Sequence, residues 1–434
     1  MTSEILTASD VVACPDCDKL LEKQNIPDGK VVHCPRCGSL LHTTVHNSLQ
    51  KSIALSLAGL VIYIPAITLP IMTFTVAGLK GSGSVVDAML ALFESNYYFV
   101  GLMVLLVSIV FPLLKLGLLF LSSVSIAAGH VSRFVIGMFR LYKHLSEWGM
   151  VEVYMLGILV SIIKMYSMAM IHYDIGLFCF IGLVILTVWS STVVDDQRFW
   201  ILIEQQQKKN DPGEAESSEF NPGAETAQEA GLIRCHDCGK LSIDEPVGPD
   251  EMLRCSRCHA ALYSRKPGSL TRTWALVLTS LVLYLPANIL PMMRVNFMGS
   301  PSDSTILDGI IYFFQDGEYL VGGIILTASV LVPLFKILGI ILILLSIKFH
   351  WNSWLKHKSA IFRFIEFIGR WSFLDVFVVA LLVAMVRFGA ITTIEADPGA
   401  SFFTAVVVCT MFAALSFDPR IMWDTGTSLT KARS

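Results

Sequence analysis

The sequence predicts a mainly α-helical, polytopic membrane protein of two tandem repeats, each a small cysteine module followed by a four-helix transmembrane bundle. Three observations predict it. Of 434 residues, 54% are hydrophobic and only 15% charged, against roughly 25% charged in a soluble domain. Eight apolar runs lie at about 49–73, 96–126, 147–170, 174–195, 272–293, 319–347, 371–393 and 401–417. Each approaches the ~20 residues that carry a helix across hydrocarbon. The third observation is self-similarity. Cys14, Cys17, Cys34 and Cys37 recur as Cys235, Cys238, Cys255 and Cys258, all at an offset of 221.

The repeat runs on through both bundles. LVIYIPAITLPIM at 60–72 returns as LVLYLPANILPMM at 281–293, and Asp87, Tyr98, Pro112 and Lys115 return as Asp308, Tyr319, Pro333 and Lys336. The offset then becomes 223, matching Phe139-Arg140 with Phe362-Arg363, Trp148 with Trp371, Glu152 with Asp375, and Lys164 with Arg387. Each half closes on a related string, Asp196-Gln-Arg198 then Trp200 against Asp418-Pro-Arg420 then Trp423. The domains are therefore read as cysteine module 1 (1–48), bundle 1 (49–202), a linker (203–231), cysteine module 2 (232–270), bundle 2 (271–424) and a tail (425–434). The linker is rich in Gln, Glu, Pro, Gly and Ser, which predicts flexibility.

Four helices per unit give both repeats one orientation. Basic residues concentrate at 127–144 and 348–370, with single ones at 74–95 (Lys80) and 294–318 (Arg294). By the positive-inside rule both termini, both cysteine modules and the linker face the cytoplasm of a plasma or inner membrane. No basic segment followed by a short apolar run opens the chain, so no cleavable signal is expected. A net charge of -3 gives no reason to expect nucleic-acid binding.

C-x2-C, sixteen residues, then C-x2-C is a four-thiolate metal site, which predicts two structural zinc ions, so the cysteine modules are read as zinc ribbons, ribbon 1 at 1–48 and ribbon 2 at 232–270. Pro15, Pro35, Gly38 and Gly239 suit the turns that present the thiolates. Iron in a rubredoxin-like centre, or a redox C-x-x-C pair, is the competing reading. His33, His236 and His259 are read as bystanders, and Cys179 and Cys409 as small core residues.

Charges inside the apolar runs are the other functional signal. Lys115 and Lys336 each follow a helix proline by three residues, and that proline should free a carbonyl and kink the helix. Glu152 and Asp375 each follow a tryptophan by four. Matched depth on neighbouring antiparallel helices predicts Lys115–Glu152 and Lys336–Asp375 pairs, with Ser146, Ser372 and Asn288 as neutral partners. The competing reading has the lysines snorkelling and the acids capping helix starts. Lys164 and Arg387 are expected to snorkel. Tyr63, Tyr284, Trp189, Trp200 and Trp423 are expected to anchor at the membrane interface or to pack.

No phosphate-binding loop, G-x-S-x-G elbow or H-E-x-x-H helix occurs, so the chain is read as a non-enzyme.

Four strings of the second half, LPANILPM (285–292), VPLFK (332–336), GRWSFLDVFV (369–378) and FDPRIMWD (417–424), resemble the paraquat-inducible protein A family over nearly the whole chain. The resemblance implies an inner-membrane protein of Gram-negative bacteria, partnered with a periplasmic MCE-domain protein of the paraquat-inducible protein B type. Together these are expected to move phospholipid between the membranes and support envelope integrity. The first half departs from the strings at Ile67-Thr68 and Glu147-Trp148-Gly149-Met150. A lipid path carried by one half is therefore expected in the second, at Lys336, Ser372 and Asp375. The alternative function is a membrane redox or stress sensor acting through the cytoplasmic cysteine clusters. A passive scaffold for the periplasmic partner is the third reading.

Overall fold

The structure is a computed structural model and describes residues 11–23, 27, 29–76, 79–166, 170–210, 223–244, 252–297, 300–385 and 392–424. Among the described residues, eight helical spans are long and apolar enough to cross a membrane. In the first half they are Ser48–Thr68, Tyr98–Ala127, Arg133–Ile163 and Ile175–Val193, and in the second Ser269–Ile289, Gly322–Lys348, Leu355–Ala384 and Pro398–Ser416. We number them as spans one to eight. Arg387, the tail and the middle of the linker lie outside the described residues.

The segments read as connections at 127–144 and 348–370 are largely helical. Helices Arg133–Ser146 and Leu355–Gly369 extend spans three and seven at the end that faces the cysteine modules. The reason is visible in the residues. Val135, Ile136, Met138, Phe139 and Tyr142 share one buried face of the first of these helices at helical spacing, while its charged residues occupy the other. The linker is likewise ordered at both ends. Helix Asp196–Asn210 continues past span four, and Ala227 is wholly buried between the two cysteine modules.

The two prolines in the VPLFK-type strings follow one-turn π-helices, Leu105–Val110 and Leu326–Leu331. Proline supplies no N–H to the carbonyls of the preceding turn, and the wider turn makes room for its ring. A side chain then satisfies a loosened carbonyl. The Tyr63 hydroxyl donates to the Ile109 carbonyl oxygen at 2.5 Å, and the equivalent Tyr284 donates to that of Val330 at 3.2 Å. These tyrosines pack inside the bundles and cap backbone. Trp200 and Trp423 are buried as well, whereas Trp189 is exposed.

At the far end of each bundle a three-stranded antiparallel sheet forms. One contains Met72–Val76, Leu79–Gly83 and Met170–Tyr173; the other contains Met293–Phe297, Ser300–Ser304 and Thr392–Ala396. A short helix follows each hairpin, started by a capping box in which Ser84 pairs with Asp87 and Thr305 with Asp308. In the first turns of spans four and eight, Gly176 and Gly399 are pressed onto the Pro70 and Pro291 carbonyls. A Cβ there would stand 2.3 Å and 2.5 Å from those oxygens, so only glycine fits.

Span one packs between spans two and four, and span five lies along span eight. The halves meet where span three crosses span seven. Tyr154 and Phe377, equivalent positions at the 223 offset, put their ring centroids 5.1 Å apart. Gly157 lets the helices approach, since a Cβ there would lie 3.0 Å from that of Phe377. Glu147 and Arg370 are also equivalent positions, and they attract one another across the same crossing.

The structure shifts one alignment in the closing strings. The Ser48 hydroxyl accepts the Asp195 N–H at 2.9 Å, and the equivalent Ser269 accepts that of Asp418 at 2.9 Å. Asp195, rather than Asp196, is thus the spatial counterpart of Asp418. String similarity alone sets Asp196 against Asp418, whereas the 223 offset continues unbroken through Trp200 and Trp423 and sets Asp195 there.

Candidate metal centres and intramembrane polar site

Each cysteine module is a pair of small hairpins. Val11–Ala13 pairs with Leu20–Glu22, and Val31–His33 with Leu40–Thr43; in the second module Leu232–Arg234 pairs with Leu241–Ile243. The turns deliver two sets of four buried sulfurs, Cys14, Cys17, Cys34 and Cys37, and Cys235, Cys238, Cys255 and Cys258. Closest Sγ···Sγ distances are 3.5 and 3.6 Å in the first set and 3.4 and 3.5 Å in the second. A tetrahedral centre with ~2.3 Å metal–sulfur bonds has edges of about 3.8 Å, so both cages fit a metal ion. Mutual hydrogen bonds among the sulfurs push the Cys17 and Cys238 thiols up and pull those of Cys37 and Cys255 down. These are protons shared within a cage, which a bound cation would displace. No histidine joins either set. His236 Nε2 instead meets Arg420 Nη2 at 2.9 Å.

Each metal cage is seated on the opposite half's bundle. Arg363 of span seven donates from Nη1 to Asp16 Oδ2 at 2.8 Å and from Nη2 to the Cys37 carbonyl at 3.0 Å. Its equivalent, Arg140 of span three, donates to Asp237 Oδ2 at 2.7 Å, and Lys143 to the Asp237 carbonyl at 3.0 Å. Asp16 and Asp237 are the same position of the two C-x2-C turns. Cys14 to Cys37 belong to a core that runs through both bundles and includes Phe362, Phe417 and Trp423. Cys235 to Cys258 share one with Phe139, Phe199 and Trp200. Arg36 lies 4.8 Å over the Trp423 ring, and the equivalent Arg257 pairs with Glu204 at 2.5 Å.

Between the modules a buried charge network closes the assembly. Arg265 bridges Asp18 at 3.2 Å and Asp424 at 2.7 Å. Arg420 reaches Asp418 at 2.9 Å and Asp18 at 3.8 Å. Burial pushes the Asp418 carboxyl up, but hydrogen bonds and charge from Arg420, with the Lys266 and Arg420 N–H groups, outweigh it and hold the carboxyl at about 2. Asp18 goes the other way, because burial outweighs the attraction of Arg265 and Arg420 and raises it.

The intramembrane lysines are both buried, Lys115 at 6% exposure and Lys336 at 0%. They do not snorkel. Lys336 Nζ donates to Thr410 Oγ1 at 2.9 Å and to Ser372 Oγ at 3.4 Å. Its hydrogen-bond partners are hydroxyls of spans seven and eight, not the Asp375 carboxylate, so the expected ion pair is corrected here. Asp375 lies in the first turn of helix Leu374–Met385, one turn past Ser372. Position along the helix does not by itself choose the partner; azimuth about the helix does. Thr410 was missed because a hydroxyl in an apolar run gives no signal in sequence. Gly369 closes the Lys336 site from span seven, with its Cβ direction 3.7 Å from Nζ.

The first half is built differently. Lys115 lays its stem over Gly149, whose Cβ would stand 3.5 Å from Lys115 Cδ. Glu152 attracts Lys115 and Arg370 repels it, without an ion pair to Glu152 inside 4.0 Å. At the 223 offset Gly149 is the counterpart of Ser372, so no serine bonds Lys115 there. Ser146 and Asn288 stay out of both sites. Ser146 donates to the Lys143 carbonyl and Asn288 to that of Tyr284. The Lys164 side chain is outside the described residues.

A family described as paraquat-inducible protein A matches residues 49–204 and again 270–426, once per bundle. The chain belongs to that family. The intermembrane transport protein PqiA of Escherichia coli (strain K12) is 33% identical over 414 residues, 95% of each chain. The lipophilic envelope-spanning tunnel protein A of the same organism is 30% identical over 425 residues, 97% of this chain and 93% of its own. A probable intermembrane transport protein of Haemophilus influenzae is 26% identical over 421 residues, 95% of each. No solved structure matches the chain. Both paraquat-inducible protein A matches begin after the cysteine modules, which places the family's signature in the membrane bundles. With eight such spans among the described residues, the chain is a multi-pass membrane protein of the paraquat-inducible protein A family.

Proposed function

We propose that this chain is the inner-membrane subunit of an intermembrane lipid transport system that supports envelope integrity. In this reading it passes phospholipid to or from a periplasmic MCE-domain partner of the paraquat-inducible protein B type. Both termini and both cysteine modules face the cytoplasm, and each module holds one structural zinc ion. The sheets at the far end of the bundles then face the periplasm and the partner. The relatives named for intermembrane transport and for an envelope-spanning tunnel support this reading.

One observation carries the choice of site: a wholly buried ammonium, Lys336, held between spans six, seven and eight by Ser372 and Thr410. A cation kept inside a membrane bundle costs several kcal/mol unless paired. Asp375 lies one turn away and Ser372 is a direct ligand. Lys336, Ser372, Thr410 and Asp375 therefore form the site for a phosphate headgroup or for proton coupling. Lys115 and Glu152 form its weaker counterpart in the first half. The Cys cages fit structural zinc rather than a fast redox response, because all eight sulfurs are buried and reactive thiolates are accessible ones.

The test is rescue of a deletion strain. Lys336→Ala and Asp375→Asn chains, present at normal levels in the membrane, should fail to restore detergent resistance of the envelope. Full rescue by both would remove this site from the mechanism.

A further inference from the structure

The reciprocal seating of the metal cages has a mechanical outcome. Arg363 touches ribbon 1 at two points of its cage, the Asp16 carboxylate inside one C-x2-C turn and the Cys37 carbonyl inside the other. Both points exist in this geometry only while the two turns are held around a common centre. Six residues further along the same helix, about 9 Å at 1.5 Å per residue, Gly369 backs the Lys336 ammonium. A 3-10 turn, Arg370–Phe373, then delivers Ser372 to it. The first half repeats the arrangement. Arg140 and Lys143 hold the Asp237 turn of ribbon 2, and their helix leads to Gly149 beneath Lys115.

We propose that metal occupancy of each ribbon sets the order of the lysine site in the opposite bundle: ribbon 1 controls Lys336 and ribbon 2 controls Lys115. The proposal deepens the function given above by naming a regulation of its site, and to that extent rests on it. The switching element is the ribbon itself. Small four-cysteine folds are two-state, folded with metal and unfolded without it. Losing the metal removes the carbonyl and carboxylate that restrain Arg363. Helix Leu355–Gly369 is then free to shift against span six. Coupling is crosswise because the seating is crosswise, and this sets it apart from general destabilisation, which would loosen the ribbon's own bundle first.

The experiment is amide hydrogen exchange on the full chain in lipid nanodiscs, with zinc content measured in parallel. It needs no transport assay, so its failure is distinct from failure of the lipid reading. In a Cys14→Ser/Cys17→Ser chain, exchange across 364–376 should rise at least tenfold while 140–152 stays protected. Cys235→Ser/Cys238→Ser should give the reverse. Arg363→Gln provides the second variant, because it should keep both zinc ions and still loosen 364–376. Unchanged exchange in both segments, equal loosening of both, or loosening of the ribbon's own half would overturn the proposal. So would an Arg363→Gln chain that keeps its zinc and exchanges like the parent.

Discussion

Replacing Lys336 with methionine separates a site built for function from one built for stability. The side chain is wholly buried and its ammonium donates to two hydroxyls. Withdrawing such a charge from water costs several kcal/mol after relaxation. Hydrogen bonds to a charged group return roughly 1.5–3 kcal/mol each, and the 3.4 Å bond to Ser372 returns less than the 2.9 Å bond to Thr410. Methionine keeps the length and volume and removes the charge. Thr410 is not stranded, because its hydroxyl also donates to the Val407 carbonyl at 2.9 Å. Substitutions of buried ions by matched apolar residues are neutral or stabilising by about 1–4 kcal/mol. At about 2–4 °C per kcal/mol for a domain of this size, the Lys336→Met chain should melt a few to ten degrees higher. The assay is thermal unfolding of the purified chain in detergent, read by aggregation or intrinsic fluorescence, beside rescue of a deletion strain. Higher melting with loss of rescue is the expected pair. A chain that melts several degrees lower yet rescues fully would show that Lys336 is a structural pin.

The remaining expectations are simpler. Gly176→Ala and Gly399→Ala each push a methyl group onto a proline carbonyl at the start of a span, and overpacking of this kind costs about 1–3 kcal/mol or more; a lower melting temperature or poor membrane yield is the readout. Asp418 has a carboxyl depressed from 3.8 to about 2, so it stabilises the fold above pH ~4 and this contribution fades as pH falls toward 2. It is worth about 2–3 kcal/mol, and an Asp418→Asn chain should lose that much at neutral pH and show a flatter acid-stability curve. Elemental analysis of the purified chain should find two zinc ions. Cys14→Ser and Cys235→Ser should each leave one, and two ions retained in either variant would contradict the assigned cages.

The repeat, the two clusters of four cysteines and the buried lysines were legible in the sequence because each rests on a one-dimensional pattern, whether an offset, a spacing or a charge in an apolar run. What escaped needs the third dimension. The places of Lys336 and Asp375 along their helices suggest a pair, but rotation about the helices turns the ammonium toward Ser372 and Thr410. The Arg140–Asp237 and Arg363–Asp16 pairs join residues 97 and 347 positions apart, and nothing local marks them. Helix Arg133–Ser146 was available from its periodicity, since Val135, Phe139 and Tyr142 share a face. Counting its basic residues toward a loop hid that face. The tyrosines that cap the π-turn carbonyls were readable as aromatic residues in a repeated string, yet their role depends on a backbone defect that only proline geometry on a neighbouring helix creates.

The crossing of spans three and seven bears on ancestry and assembly. Tyr154 opposite Phe377 is what an ancestral single unit would make by pairing with its own copy. Glu147 opposite Arg370 is not. Two first halves brought together would oppose acid to acid, and two second halves base to base. The difference at this one position makes the two halves electrostatically complementary where they cross, whereas two copies of either half would set like charges against each other.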